Sequence, residues 1–294
     1  MGIPIPLMYL FEDKNGKKQV VDGRQRISAI LDFLEGKFKL NNLRILKQFN
    51  GCCFADLDLK QQGVIEDFQL LFYIIQPPTP ERVKYDIFDR VNRGGTPLNK
   101  QEMRNALYRG RCTRMLDKLC CSPEFLIATG RSINKERMKD QYVVLRAMAF
   151  LMLHRGEFKD IPALQYRGDI DDFLARFMVY VNDNAPEKLI VDYENLFIRC
   201  MQISYDLLGE NGFRFSGNGI RRPINMPLFE ALSYLFSFVP EKIDYTWASR
   251  LILDIESVKE EFDDSRYFSG NIDSTTSVSF RFDRMDKIIN RIQL

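Results

Sequence analysis

The chain has 294 residues, with 42 lysines and arginines against 40 aspartates and glutamates; at a formal net charge of +2, bulk charge selects no polyanion partner, and any nucleic-acid surface has to be a local patch. A composition of 45% hydrophobic and 28% charged residues is that of a soluble globular protein, with length for one large or two ordinary domains. The single histidine, His154, excludes any mechanism that takes two histidines from this chain, which removes His-Glu-x-x-His metalloproteases and a stand-alone His-Asn-His nuclease.

The opening Met1-Gly2-Ile3-Pro4-Ile5-Pro6 has two prolines and no basic flank, unlike a secretory signal. The longest apolar run, Val143 to Leu153, is broken by Arg146 and too short to cross a bilayer. A cytoplasmic protein with no membrane partner is expected. Its cysteines, Cys52, Cys53, Cys112, Cys120, Cys121 and Cys200, contain no Cys-x-x-Cys spacing, so reduced thiols are expected and no metal ligand is assigned.

In chain order, Leu7 to Phe11 and Lys18 to Asp22 read as two strands joined at the hairpin signal Asn15-Gly16. The second strand runs into Asp22-Gly23-Arg24-Gln25-Arg26 and then a helix whose apolar stripe is Ile27, Ile30, Leu31 and Leu34, stopped by Gly36. A strand that ends at a glycine and opens a helix gathers unpaired backbone N–H groups and the positive end of the helix dipole, a site suited to an anion. Arg24 and Arg26 add charge there, and Asp22 either pairs with them or holds a metal or a water. The same residues also fit an ordinary strand-to-helix connection with a solvated ion-pair face, and both readings stand at this point.

Further on, Phe38 to Leu46 and Phe68 to Ile75 resemble strands, the latter stopped by Pro77, Pro78 and Pro80. A helical pattern over Glu81 to Val91 breaks at Asn92-Arg93-Gly94-Gly95-Thr96-Pro97, a loop able to approach a phosphate closely or simply to join two helices. Asn99 is placed to cap the next helix, with Glu102 completing a capping box. Beyond Arg111 the pattern is helical: Arg137 to His154, Asp169 to Asn182, Glu187 to Leu208, Pro223 to Phe238, Asp244 to Phe262 and Arg281 to Leu294. His154 reads as a helix-end or packing residue, and Gly209 to Gly219 as a surface connection.

VVDGRQRISAILDFLEGKF and IFDRVNRGGTPLNKQEMRNALYRG together resemble the paired motifs of the GmrSD-type restriction endonuclease N-terminal domain family, the Asp-Gly-Gln-Gln-Arg family distantly similar to ParB and sulfiredoxin. The resemblance continues more weakly through RRPINMPLFEAL and SVSFRFDRM. It implies an α+β fold, with a small ParB/sulfiredoxin-like mixed α/β domain over 1–110 followed by an all-α helical domain over 111–294. It also implies a nucleotide-phosphate site on the turn. Asp22, Gly23, Gln25 and Arg26 keep the first motif, and Arg24 replaces the commoner glutamine. Asn92, Arg93, Gly94, Gly95, Glu102 and Arg104 match the second. On this resemblance Arg26 and Arg93 clamp phosphates, the backbones of Gly23, Gly94 and Gly95 line them, and Asp22 or Glu102 positions a water or a divalent metal. Members ordinarily carry an arginine-containing strand and a tryptophan-bearing helix before Gly-Ile-Pro-Ile-Pro, so part of the sheet is expected to be missing here.

The implied ligand is a nucleoside triphosphate with Mg2+, and the candidate partners are DNA, a nuclease subunit or a second copy of the chain. The leading expectation is a nucleotide-binding, NTP-hydrolysing module of a DNA-targeting, restriction-like defence system, touching DNA through Arg104, Arg109, Arg111 and Arg114. The alternative is a non-catalytic DNA-binding or regulatory protein using the same arginine-rich turn for DNA phosphates. A third is a partner-dependent subunit with an exposed sheet edge at Ile3 to Leu10.

Overall fold

The computed structural model describes residues 4–12, 16–76, 79, 83, 87, 98–216, 221–240, 242 and 244–292. The chain divides into two compact units, Met1–Pro97 and Leu98–Leu294. The fold class is α+β: a small mixed sheet near the start is followed by helices.

In the first unit, β1 (Met8–Glu12) and β2 (Lys18–Asp22) form the expected antiparallel hairpin, and β3 (Phe72–Ile75) lies parallel to β1 on its other side. The order β2-β1-β3 makes β1 the central strand, which corrects the expectation of an open edge at Ile3 to Leu10: Met8 to Phe11 pair with Phe72 to Ile75. Of the hairpin turn, Asn15 lies outside the described residues, and Gly16 has the left-handed φ of 76° that such turns require.

Helix α1 (Arg24–Leu34) ends as its glycine dictates. Gly36 sits at φ 72°, its N–H bonds to the Phe33 carbonyl at 3.0 Å and the Lys37 N–H reaches the Asp32 carbonyl at 2.8 Å, the Schellman arrangement. The stripe of α1 is rotated from the expected one: Phe33 is its buried residue, tilted against the Phe38 ring and edge-on to Phe54, whereas Leu31 is 52% exposed. Phe38 to Leu46 is not a strand. Its backbone bonds are taken by a loop in which Leu40 and Cys52 pair and the Asn50 side chain bridges the N–H and carbonyl of Leu43. Helix α2 (Leu59–Glu66) starts at a capping box of Asp58 and Gln61. The predicted strand Phe68 to Ile75 keeps only its last four residues, and most of the predicted helix Glu81 to Val91 lies outside the described residues.

The second unit is all helical among the described residues: α3 (Lys100–Leu107), α4 (Arg111–Cys120), α5 (Pro123–Ala128), α6 (Lys139–His154), α7 (Ile170–Asp183), α8 (Glu187–Leu208), α9 (Met226–Phe236), α10 (Tyr245–Asp264) and α11 (Thr275–Ile292). The last helix starts six residues before Arg281, where the sequence pattern had put its beginning. Helix α9 is the axis of the core. It packs against α6, α8 and α11, and Pro227 through Phe236 are all buried, so it is covered on every side as a central helix must be. Phe125 and Phe197 pack on its Phe229, and Phe150 packs on Phe173. No helix among the described residues is long and apolar enough to cross a membrane.

Candidate functional site

The turn after β2 is built by three local features. Between Leu10–Val20 and Tyr9–Asp22 the hairpin register shifts, a bulge at Val21 that turns the strand end and with it the Asp22 side chain. Gly23 follows at φ 95° as N-cap of α1, and a Cβ there would lie 2.5 Å from Cγ of Met8, which is fully buried on the central strand. Left-handed backbone and lack of space independently require glycine at this position. The N-cap has no side chain to satisfy the helix start, and the N–H groups of Arg24, Gln25 and Arg26 find no acceptor among the described residues.

Asp22 and Arg26 are brought together. Oδ2 of Asp22 accepts from Nη2 of Arg26 at 2.5 Å, and Nη1 of Arg26 donates to the Pro6 carbonyl at 2.6 Å. Both side chains are about a third exposed or less, 27% and 32%. Asp22 thus makes the ion pair that its sequence position allows, through Oδ2. The pair holds the guanidinium across the helix start, and its Nε–H and one hydrogen on each terminal nitrogen find no acceptor among the described residues. Arg24 and Gln25 point into solvent. The arrangement offers a row of backbone donors, a positioned guanidinium and one carboxylate within a single turn, which suits an oxyanion.

Asn92, Arg93, Gly94 and Gly95 lie outside the described residues. Glu102 and Arg104 belong to α3 of the second unit, and both have structural partners there. Asn99 accepts from the Gln101 and Glu102 N–H groups at 2.8 and 2.9 Å, and the Glu102 carboxylate accepts from the Asn99 N–H at 2.7 Å, the predicted capping box. Glu102 also pairs with Arg137 at 2.9 Å. Arg137 and Met138 have φ of 56° and 59°, two successive strained residues, and the Arg137 carbonyl accepts from Asn99 Nδ2 at 2.7 Å. Arg104 is wholly buried: it donates to Asp171 at 2.6 Å and to Gln101 at 3.2 Å and lies 5.3 Å from the Tyr142 ring.

The four arginines expected to form one basic surface separate. Arg104 is internal, Arg111 bonds the Ala185 carbonyl and pairs with Glu187, and Arg109 and Arg114 are exposed. The cysteines are unpaired, and burial pushes the Cys200 thiol up to about 12, which makes it inert. No group of three or more His, Cys, Asp or Glu side chains is placed to hold a metal among the described residues.

Sequence reasoning missed a buried ion network. Glu230, on α9, accepts from Arg146 of α6 and, at 2.7 Å, from Arg281 of α11; Arg146 continues to Asp273 at 2.6 Å and Tyr142 at 3.1 Å. Arg146, Glu230 and Arg281 are at most 1% exposed. The signal was present: Arg146 interrupts the longest apolar run, and Glu230 is the one charge in MPLFEALSYLF. A charge inside an otherwise apolar helix calls for a partner. Glu230 and Arg281 lie in the two segments that carried the weaker resemblance.

Among known proteins, the family described as GmrSD restriction endonuclease, N-terminal domain, matches residues 1–109. The match takes in the turn and continues through α3. No curated protein and no solved structure matches the chain.

Proposed function

We propose, from the match of residues 1–109 to the family described as GmrSD restriction endonuclease, N-terminal domain, that this chain binds a nucleoside triphosphate and hydrolyses it in a DNA-targeting, restriction-like defence system. The observation that carries the reading is the helix start at Gly23: three N–H groups without an acceptor among the described residues, beside a guanidinium fixed by Asp22 and Pro6. Phosphate oxygens are the ligand such a start takes best. Arg26 clamps a phosphate with its remaining N–H groups, and the Arg24 side chain adds positive charge at the rim. Asp22, whose Oδ2 is taken by Arg26, would be the residue to hold a magnesium ion brought in with the nucleotide, since one carboxylate is enough for that kind of site. When bound, the metal neutralises charge on the phosphates. The residues' own part is to align the phosphate and position the attacking water.

Binding of the four ribonucleoside triphosphates with magnesium, followed by phosphate release, tests this. Wild type binds and releases phosphate; Arg26→Ala binds on the order of tenfold more weakly, as expected for one charge-assisted contact, and Asp22→Ala loses turnover. Wild type without binding or turnover, indistinguishable from Asp22→Ala, would remove the proposal.

A DNA-binding reading without catalysis rests on the exposed side chains of Arg109 and Arg114. It requires affinity for duplex DNA, in the absence of nucleotide, that falls steeply with salt and falls further in Arg109→Gln with Arg114→Gln.

A further inference from the structure

In the helical unit a cleft of about 620 Å³ opens between the end of α8, the segment that precedes α9 and the second half of α10, and its charged lining is mostly cationic. Arg214, Arg221, Arg222 and Lys259 face it, against Glu210 and Glu256, a net charge of +2 on the lining. Two of the cations are deeply placed: Arg214 is 4% and Lys259 5% exposed.

Arg214 is the unusual member. Its guanidinium donates to the carbonyls of Glu210, Thr129 and Arg222 and to the Ser132 hydroxyl, all neutral acceptors. No carboxylate forms an ion pair with it among the described residues, and the adjacent residues 217–220, Gly-Asn-Gly-Ile, contain none. A buried guanidinium is ordinarily paired with an anion. Burial works against its charge and the neighbouring Arg221 works in the same direction; the Glu210 carboxylate opposes them only in part, so its proton affinity is lowered. The other cations are positioned. Arg221 pairs with Glu210 at 2.8 Å directly over Gly130, where a Cβ would lie 2.3 Å from the guanidinium and φ is already 58°. Arg222 is held bidentately by Asp263 and lies 5.3 Å from the Phe215 ring. Lys259 is countered by Glu256 at 2.9 Å, on the exposed side.

The geometry points to a second ligand site, a pocket for a small phosphorylated anion in the helical unit, with Arg214 at its floor and Arg221, Arg222 and Lys259 on its walls. The anion supplies the ion-pair partner that Arg214 lacks among the described residues. A small ligand is favoured over a polynucleotide because the deepest cations are recessed and reachable by a compact group, whereas DNA phosphates take exposed side chains. This site is separate from the turn at Gly23 and does not rest on the reading of that turn.

The test is calorimetric titration of the full chain carrying Arg26→Ala, with inorganic pyrophosphate and no metal, at low salt. Pyrophosphate binds at one site, ATP competes for it, and Arg221→Gln with Arg222→Gln weakens binding about tenfold or more. Glu256→Gln, which frees Lys259 from its carboxylate, tightens binding about threefold, a gain that a merely structural role would not give. Thermal melts confirm that each variant is folded; should the double arginine variant unfold, the Glu256→Gln gain decides. Absence of pyrophosphate binding, unchanged binding in the variants, or binding of duplex DNA without pyrophosphate would overturn the assignment.

Discussion

Glu230 and Arg281 meet at 2.7 Å with neither side chain exposed, and the other oxygen of the same carboxylate takes Arg146. One carboxylate thus compensates two buried guanidiniums drawn from helices on either side of it. Glu230→Gln keeps the shape but leaves Arg281 without a paired anion among the described residues and Arg146 with Asp273 alone, with an expected loss of about 3–5 kcal/mol, read as a fall in melting midpoint on the order of 10 °C. Lys37, whose partners Asp32 and Glu35 are exposed, is the contrast: Lys37→Gln leaves the midpoint unchanged. Equal effects of the two substitutions would show that burial does not set the value of these pairs.

The turn at Gly23 gives a prediction of a different kind. Gly23→Ala meets both the positive φ and the Met8 side chain, and costs about 1–3 kcal/mol together with nucleotide affinity. Met8→Ala in the same chain removes the clash but not the backbone strain, so a double-mutant cycle returns part of the loss. Full additivity would mean that Met8 does not restrict the turn.

His154 stacks on Phe282 with ring centroids 3.6 Å apart, and burial, helped by the Arg281 charge, holds its pKa down at about 3. An unfolded chain protonates the same imidazole near pH 6.5. Between these values the unfolded state binds the extra proton, so the histidine's contribution to stability falls as pH is lowered, by up to about 1.4 kcal/mol per pH unit. The shared carboxylates titrate alike in wild type and His154→Phe, so the difference between their stability–pH curves isolates this group. The curves are expected to separate below about pH 6; parallel curves down to pH 4 would contradict it.

Asp171 adds a lower acid limb. Burial pushes its carboxyl up, but Lys100 and Arg104 outweigh that and leave it below the ordinary value. Its stabilisation is complete above the unfolded carboxylate range and disappears as pH falls through the depressed folded value. Asp171→Asn therefore lowers stability at neutral pH and flattens the limb below about pH 4, measured by urea melts at a series of pH values.

At the start of α3, Asn99→Ala removes an N-cap and costs about 1 kcal/mol. Glu102→Gln retains an acceptor for the Asn99 N–H. Because the carboxylate is already engaged by the cap and Arg137, it leaves nucleotide affinity within about twofold of wild type, inside the range of one weak surface contact. A tenfold fall would return Glu102 to the ligand.

What could be read ahead of the structure was whatever had a local cause. The hairpin, the Gly23 and Gly36 boundaries and the Asn99–Glu102 box each depend on a few adjacent residues, and each is present. Phe38 to Leu46 failed because strand propensity needs a partner strand, and its polar backbone found Cys52 and Asn50 instead. Leu31 failed because an apolar stripe fixes a face only to within a residue or two, and the aromatic neighbours of Phe33 chose the rotation. At the site, the pairing of Asp22 with Arg26 is an i,i+4 relation and was open to sequence. The burial of Arg104 beside Asp171, 67 residues away, was not.

Helix α9 also constrains how the chain is made. Glu230 is synthesised long after Arg146 and well before Arg281, so a growing chain can assemble α6 against α9 while half of the carboxylate still lacks its cation and one side of α9 lacks α11. Until the last helix arrives, the second unit carries an uncovered apolar wall, a period in which a chaperone or a neighbouring nascent chain competes with α11 for the same surface.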